Sequence, residues 1–325
     1  MCVVRHNSIH DNYSVNLYLD SVSHSLYDGN LIYETMAGND LEGIEISDEG
    51  HYPAADLPAP VNSYNTIINN VIYNHAVGID FWMSDEWSTT LQNQSGLRYD
   101  VISNNTLVNN VGGIRWDASP AHIGTTMENN IIVSAAGTSP AYLLYAKSAG
   151  GISLDHNLWF APDLSQPYLW LTDQTDHAGF MTDSGQGASD VLVDPMLVGP
   201  YTAPPASNLA LAMGSPAIGK GIPLAAVTTD FLGAARPATG DDIGAFQYGA
   251  VVPPDGGGPM IGDGGVSSNS DGSVETGGDG GTHSSSHSSH GCSFTSAPGA
   301  APWWLALFGL SLVRLFRQRR ATASS

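Results

Sequence analysis

An asparagine that keeps returning constrains this chain more than any other feature. Between residues 7 and 157 it recurs six times before apolar or small residues, in His6-Asn7-Ser8-Ile9, Gly29-Asn30-Leu31-Ile32, Asn69-Asn70-Val71-Ile72, Asn104-Asn105-Thr106-Leu107, Asn129-Asn130-Ile131-Ile132 and His156-Asn157-Leu158-Trp159. The intervals are 23, 40, 35, 25 and 27 residues. The short ones fit one coil of a solenoid and the long ones a coil with an inserted loop, because insertions in repeat folds fall in surface loops. His51 to Tyr64, with three prolines, and Glu86 to Arg98 are the natural insertions.

Each asparagine is flanked by short β-branched or apolar runs such as Thr66-Ile67-Ile68 and Val71-Ile72-Tyr73, with no helical period. A second run, usually headed by Gly-Ile, follows 9 to 14 residues later: Leu17-Tyr18-Leu19-Asp20, Ile44-Glu45-Ile46-Ser47, Ile79-Asp80-Phe81-Trp82 and Ile114-Arg115-Trp116-Asp117. Three short strands per coil result. Asparagine suits the turn between two of them, since it tolerates left-handed backbone and its amide can bond to the same residue one coil away. Eighteen of the 20 asparagines precede residue 158, which places the end of the coils there.

Charge narrows the partners. The chain carries 31 acids against 10 bases, and Arg314, Arg317, Arg319 and Arg320 lie in its last twelve positions. An acidic body of this kind repels phosphate backbones, so nucleic acid is excluded, and an acidic polymer would need a bridging cation such as calcium. Cys2 and Cys292 stand at opposite ends, which rules out a disulfide framework or a cysteine zinc site within the body. Walker, Gly-x-Gly-x-x-Gly, His-Glu-x-x-His and Gly-x-Ser-x-Gly motifs are missing, so nucleotide and zinc-protease chemistry find no support.

Beyond the coils, 161–250 reads as a closing segment and 251–291, made almost wholly of Gly, Ser, Asp, Pro and His, as a disordered linker. Ala297 to Val313 is an uncharged stretch of 17 residues, short for a membrane helix, with Pro298 and Pro302 at its start. The arginines after it would hold the C-terminus in the cytoplasm and place the acidic body outside.

The Asn-Asn-x-Ile repeat with its Gly-Ile strands resembles the right-handed parallel β-helix family, the pectate-lyase-like superfamily of polysaccharide lyases, polygalacturonases and epimerases. The resemblance covers about residues 3–160. It implies an all-β solenoid, a monomer, and a working face formed by the outward side chains of one strand row and its flanking loops. It also implies further coils and an export signal before Met1, because Met1-Cys2-Val3-Val4-Arg5 shows neither. Val193-Asp194-Pro195, Gly214-Ser215-Pro216, Thr229-Asp230-Phe231 and Asp241-Asp242-Ile243-Gly244 match the family's closing segment, in which Asp230, Arg236 and Asp242 are expected to fasten loops at the solenoid end. Residues 292–325, with Gly291-Cys292-Ser293 before the apolar span and the arginines, resemble the myxobacterial C-terminal sorting signal, MYXO-CTERM. That resemblance implies export, sorting machinery acting at Cys292, and anchoring at the cell envelope with release after processing.

Alternation along the second run sends every other residue outward. With Leu17, Ile44, Ile79, Ile114 and Leu144 inward, the outward set is Tyr18, Asp20, Glu45, Ser47, Asp80, Trp82, Arg115, Asp117, Tyr145 and Lys147. Coils lie about 4.8 Å apart, so these form one patch. Three chemistries fit it. Glu45 with Asp80, or with Asp117, would serve as a glycosidase carboxylate pair. Arg115 or Lys147 would serve as a lyase base beside bound calcium. Without catalysis, Tyr18, Trp82 and Tyr145 would stack on the sugars of an extracellular polysaccharide. Ser47-Asp48-Glu49 and Ser84-Asp85-Glu86 add a candidate calcium site at Asp48, Glu49, Asp85 and Glu86.

Overall fold

A computed structural model describes residues 2–35, 41–47, 62–82, 96–138, 140–201 and 209–249. The chain divides into units of residues 1–269 and 270–325, and every described residue belongs to the first. The linker, the apolar stretch, Cys292 and the four acids of the Ser-Asp-Glu tripeptides lie outside the described residues. Among the described residues no helix is long and apolar enough to cross a membrane.

Three sheets each take every third strand of the coils. The first stacks β1 (Val3–Arg5), β4 (Leu26–Asp28), β7 (Thr66–Ile68), β10 (Val101–Ser103), β13 (Thr125–Glu128) and β16 (Ile152–Asp155). The second stacks β2 (Ser8–His10), β5 (Leu31–Tyr33), β8 (Val71–Tyr73), β11 (Thr106–Val108), β14 (Ile131–Val133) and β17 (Leu158–Phe160). The third stacks β3 (Leu17–Asp20), β6 (Glu42–Ser47), β9 (Val77–Trp82), β12 (Gly112–Trp116), β15 (Tyr142–Ala146) and β18 (Tyr168–Trp170), with β19 (Asp173–Thr175) closing it antiparallel. Every coil-to-coil strand pairing is parallel, as in β5 on β8, β10 on β13 and β6 on β9. The molecule is a parallel β-helix, with one inward row from each sheet, such as Ile67 and Ile102, Ile72 and Leu107, Ile79 and Ile114, meeting in a single buried core.

The asparagine doublets divide two tasks between neighbouring residues. The first position, His6, Gly29, Asn69, Asn104, Asn129 or His156, holds the left-handed turn, with φ between 54° and 64°. The second forms a continuous ladder: Asn7, Asn30, Asn70, Asn105 and Asn130 each donate from Nδ2 to Oδ1 of the next asparagine at 2.9–3.0 Å, ending on Asn157. Each Oδ1 also accepts the preceding coil's backbone N–H, as Asn105 Oδ1 does from Asn70 N at 2.9 Å. An unpaired polar group in such a dry interior costs about 1–3 kcal/mol, so the ladder satisfies groups that nothing else in the turn reaches.

The first-position asparagines point outward and hold a strap. Asn129 Nδ2 donates to Ile222 O at 2.7 Å, Asn104 Nδ2 to Asp242 O at 3.2 Å and Asn69 Nδ2 to Thr229 O at 2.9 Å. The strap runs from Asn129 past Asn69, turns near Phe231 beside Gly29, and returns to pair Gly244 N with Asn129 O at 2.7 Å. Antiparallel bridges Gly221–Asp241 and Thr229–Ala235 join its two limbs. Its apolar side chains, Leu209, Leu211, Ala217, Phe231, Ile243 and Ala245, pack on Leu31, Val71, Val108, Ile131 and Leu158 of the second sheet. Arg236 fastens it with five hydrogen bonds, to Asp241 Oδ1, Asn69 Oδ1 and the carbonyls of Thr229, Asp242 and Gly244.

This segment therefore lies along the solenoid's flank, where an end cap was expected. Asp230 and Asp242 secure it through backbone N–H groups: Asp230 Oδ1 accepts from Leu232 and Ala234, and Asp242 Oδ1 from Gly219. The coil end is covered by α1 (His177–Ser184), N-capped by Asp176 and ended at Gly185 with φ 69°. Its buried Phe180 stacks on Tyr168 at 4.8 Å and meets Trp170 edge-on at 5.1 Å. Eight residues with one buried apolar side chain are too few to write a helical period.

Candidate functional site

The third sheet carries the outward row. Tyr18 pairs with Glu45, Glu45 with Asp80, Asp80 with Arg115 and Arg115 with Tyr145 in consecutive parallel registers. Leu17, Ile44, Ile79, Ile114 and Leu144 pair in the same way one position earlier, inside the core. Asp117 and Lys147 meet just past these strands, joined by Lys147 Nζ to Asp117 Oδ1 at 2.5 Å. Trp82 sits beside Ser47 on the next outward row and is partly buried.

A second outward row was not expected. Gly43, Gly78, Gly113 and Leu143 turn inward beside the inward Ile or Leu that follows each, which breaks strict alternation. A Cβ at Gly43 would lie 2.6 Å from Ile72 Cγ2 and 2.7 Å from Gly78 O, and one at Gly78 would lie 2.9 Å from Gly113 O. Only glycine lets the coils approach this closely. The break turns Glu42, Val77, Gly112 and Tyr142 to the outside, paired coil to coil as Glu42–Val77–Gly112–Tyr142. The sequence signal for it was the glycine heading each Gly-Ile pair.

One carboxylate oxygen each of Glu42, Glu45 and Asp80 lies within 4.8 Å of the other two. Asp80 is wholly buried and gripped bidentately, with Arg115 Nε on Oδ1 at 2.8 Å and Nη2 on Oδ2. Burial pushes the Asp80 carboxyl up, against the pull of the guanidinium beside it. Burial works against the Arg115 charge, but the Asp80 carboxylate outweighs it and holds the guanidinium cationic, above its usual value. Tyr142 lies over Gly112, where a Cβ would meet the phenol at 2.5–2.6 Å, and burial pushes its hydroxyl up to about 12. Tyr145 stands edge-on to Tyr142 at 5.5 Å and beneath Lys147 Nζ at 5.7 Å.

His122 fixes the turn that carries Asp117. Leu97 N–H donates to its Nδ1 at 3.1 Å, so Nε2 carries the proton and donates to Asp117 O at 2.9 Å. Burial lowers its pKa, in keeping with this neutral tautomer.

The described acids fit calcium poorly. Both oxygens of Asp80 are taken by Arg115, and a cation among Glu42, Glu45 and Asp80 would sit beside a guanidinium. A separate cleft of 410 Å³ lies at the capped end of the coils, lined by Trp159, Tyr168, His177 and Leu192 among others, and shares none of the predicted residues.

No family model matches this chain, and no curated protein matches it. Among solved structures it is similar to the crystal structure of pectate lyase Pel9A, at 12% identity and a TM-score of 0.38, over 75% of this chain and 65% of that one. The chain thus spans just under two thirds of that protein's length. The β-helix assignment stands on the strand register itself.

Proposed function

We propose that this chain is a surface-held glycan-recognition protein, whose third-sheet outer face binds an extracellular polysaccharide without turning it over. The observation that supports this reading is the continuous row Tyr18–Glu45–Asp80–Arg115–Tyr145, laid out at one coil spacing with its central acid and base locked together. A glycosidase pair needs an accessible carboxylate, and Asp80 is wholly buried under Arg115. A lyase base must shed its proton, and the Asp80 carboxylate holds Arg115 in its charged form, while Lys147 is engaged in an ion pair with Asp117. Half-exposed Tyr18, with Tyr145 and Trp82, supplies the aromatic surface on which sugar rings stack.

Affinity electrophoresis of the whole chain through gels holding neutral, acidic and amino polysaccharides tests this, with reducing ends and unsaturated products followed in parallel. Retardation without product, weakened about tenfold in Tyr18→Ala, is expected. Product formation that disappears in Asp80→Asn would make the protein an enzyme. No retardation in any gel would remove the reading altogether. Surface attachment is proposed from Cys292 and the span 297–313, and a Cys292→Ser chain that still fractionates with the envelope as before would separate anchoring from that cysteine.

A further inference from the structure

A strip of the first sheet's outer face runs uncharged through an acidic molecule. Leu26, Thr66, Val101, Thr126 and Ser153 pair in consecutive parallel registers. The residues that follow them, Tyr27, Ile67, Ile102, Met127 and Leu154, line the core. Alternation therefore turns the first set outward, and all five are at least partly open. At the turn entering this sheet stands a second row. Ser23, Ser63, Arg98 and Ile123 bridge coil to coil, and the next residues are His24, Tyr64, Tyr99 and Gly124. His24 stacks on Tyr64 at 4.9 Å and Tyr64 on Tyr99 at 5.0 Å. The two rows hold no Asp, Glu, Lys or Arg, in a chain with 31 acids and 10 bases. Glu128 and Asp155, paired in register, border them toward the second sheet.

The turn itself does not call for tyrosine. His24, Tyr64, Tyr99 and Gly124 all have left-handed backbone, with φ between 53° and 63°, which bulky side chains rarely adopt. Gly124 makes the same turn with no side chain, so the fold does not require a ring there. Tyr64 is nevertheless 50% and Tyr99 46% exposed, where burial gains little. Their faces are taken up by each other, and Tyr99 also covers Gly124, where a Cβ would lie 2.8 Å from its Cδ1. What they offer to solvent is a rim, with phenol hydroxyls that no described residue engages. Strained, exposed side chains that packing does not need point to a use.

We infer that this strip binds one extended chain of a neutral polysaccharide, lying along the coil axis. Four coil steps of about 4.8 Å make a track roughly 19 Å long. Hydroxyls of Thr66, Thr126, Ser153 and the two tyrosines recur along it for sugar hydroxyls, and Leu26 and Val101 lie among them for the C–H faces of the rings. A charged polymer would find no counter-charge in either row, and the bordering acids repel a uronate. A partner protein needs about 800 Å² a side, and a track this long and two rows wide offers about a third of that. The strip is separate from the row Tyr18 to Tyr145, so the two faces can be tested apart.

The test is calorimetric titration of the whole chain with cellohexaose, laminarihexaose, mannohexaose and hexagalacturonate. Binding of at least one neutral oligosaccharide, and none of the uronate, is expected. Raising salt from about 50 to about 500 mM should change that affinity by less than about twofold, because no ion pair is screened. Tyr64→Gly/Tyr99→Gly should weaken it about tenfold with an unchanged or higher urea midpoint, since glycine suits this backbone. Tyr64→Phe/Tyr99→Phe keeps the stack and should still lose about threefold, which decides the matter if the glycine pair unfolds. On a Tyr18→Ala background the glycine pair should weaken neutral binding by the same factor.

Full binding in the glycine pair, with loss in Tyr18→Ala, would overturn the inference and leave the third-sheet reading standing. The reverse result would keep the inference and remove that reading. A phenylalanine pair that binds like the parent, a steep loss with salt, or no binding of any neutral oligosaccharide would each overturn it.

Discussion

The outer faces of the second and third sheets are built from the same coils and meet opposite fates. On the second, the outward positions are Leu31, Val71, Val108, Ile131 and Leu158, buried under the strap. On the third they are Tyr18, Glu45, Asp80, Arg115 and Tyr145, with Tyr18 46% exposed. A parallel sheet buried on both faces reads as an unbroken apolar run, and one open on a single face alternates. Val71-Ile72-Tyr73 and Ile131-Ile132-Val133 are such runs, while Ile44-Glu45-Ile46 and Ile79-Asp80-Phe81 alternate. The outward row therefore encodes whether a face is covered by the strap or left open to other contacts.

The sharpest way to break this comparison is to give one face the other's chemistry. Val108→Asp puts a carboxylate beneath the strap, where no partner compensates it. It should cost about 4 kcal/mol or more, or displace the strap outright. Tyr145→Asp on the open face should cost under about 1 kcal/mol. Urea unfolding of both variants measures the gap. Equal costs would mean that the strap is not a tight cover.

Arg236 and Arg115 offer a finer version. Arg236, 2% exposed, holds the 1% exposed Asp241, so Arg236→Ala leaves a buried acid unpaired and should cost about 3–4 kcal/mol. Amides of 209–249 should then exchange faster while third-sheet amides stay protected. Arg115 is 27% exposed, so water can enter beside Asp80 when the side chain is removed. Arg115→Ala should accordingly cost only about 2 kcal/mol. A larger loss at Arg115 than at Arg236 would reverse the assignment of covered and open faces.

Much of this was written in the chain, and what was missed has physical reasons. The asparagine spacing located the turn between the first and second sheets in each coil, because the second residue of each doublet bonds to its equivalent on the next coil. The outward row followed from alternation and matches the register from Tyr18 to Tyr145. Alternation also concealed Glu42 and Tyr142, since an inward glycine leaves no side chain by which to notice the break. The closing segment and its fasteners Asp230, Arg236 and Asp242 were legible, but its course along the flank was not, because its partners, the first asparagines of the doublets, looked like turn residues alone. Closed ion pairs are beyond any one-dimensional reading. Asp80 and Arg115 lie 35 residues apart, and the parallel register of β9 and β12 puts them side by side.

The smallest effect lies in a mismatched rung, where pH separates two buried groups. At the turn before β7, Asn65 Oδ1 accepts Ser25 N at 3.1 Å, but one coil later the place belongs to Asp100, which accepts Asn65 N at 2.7 Å. Asp100 is 1% exposed, its Oδ2 has no hydrogen-bond partner, and burial pushes its pKa up to about 6. Its folded value lies above its unfolded one, so its contribution favours the fold at low pH and is lost as pH rises from about 4 through 6. His75 runs the other way: burial lowers it to about 4, so its contribution is present above about 6.5 and lost as pH falls toward 4. Between about pH 4 and 6 the two oppose each other, and the intact protein should show a shallow profile. Asp100→Asn restores the rung's amide and removes one of the two slopes. Stability of that variant should rise with pH across the window and exceed the parent's by about 1–2 kcal/mol at pH ~8, measured by urea midpoints. An unchanged slope would mean that Asp100 keeps an ordinary carboxyl pKa in the fold, with solvent reaching its second oxygen.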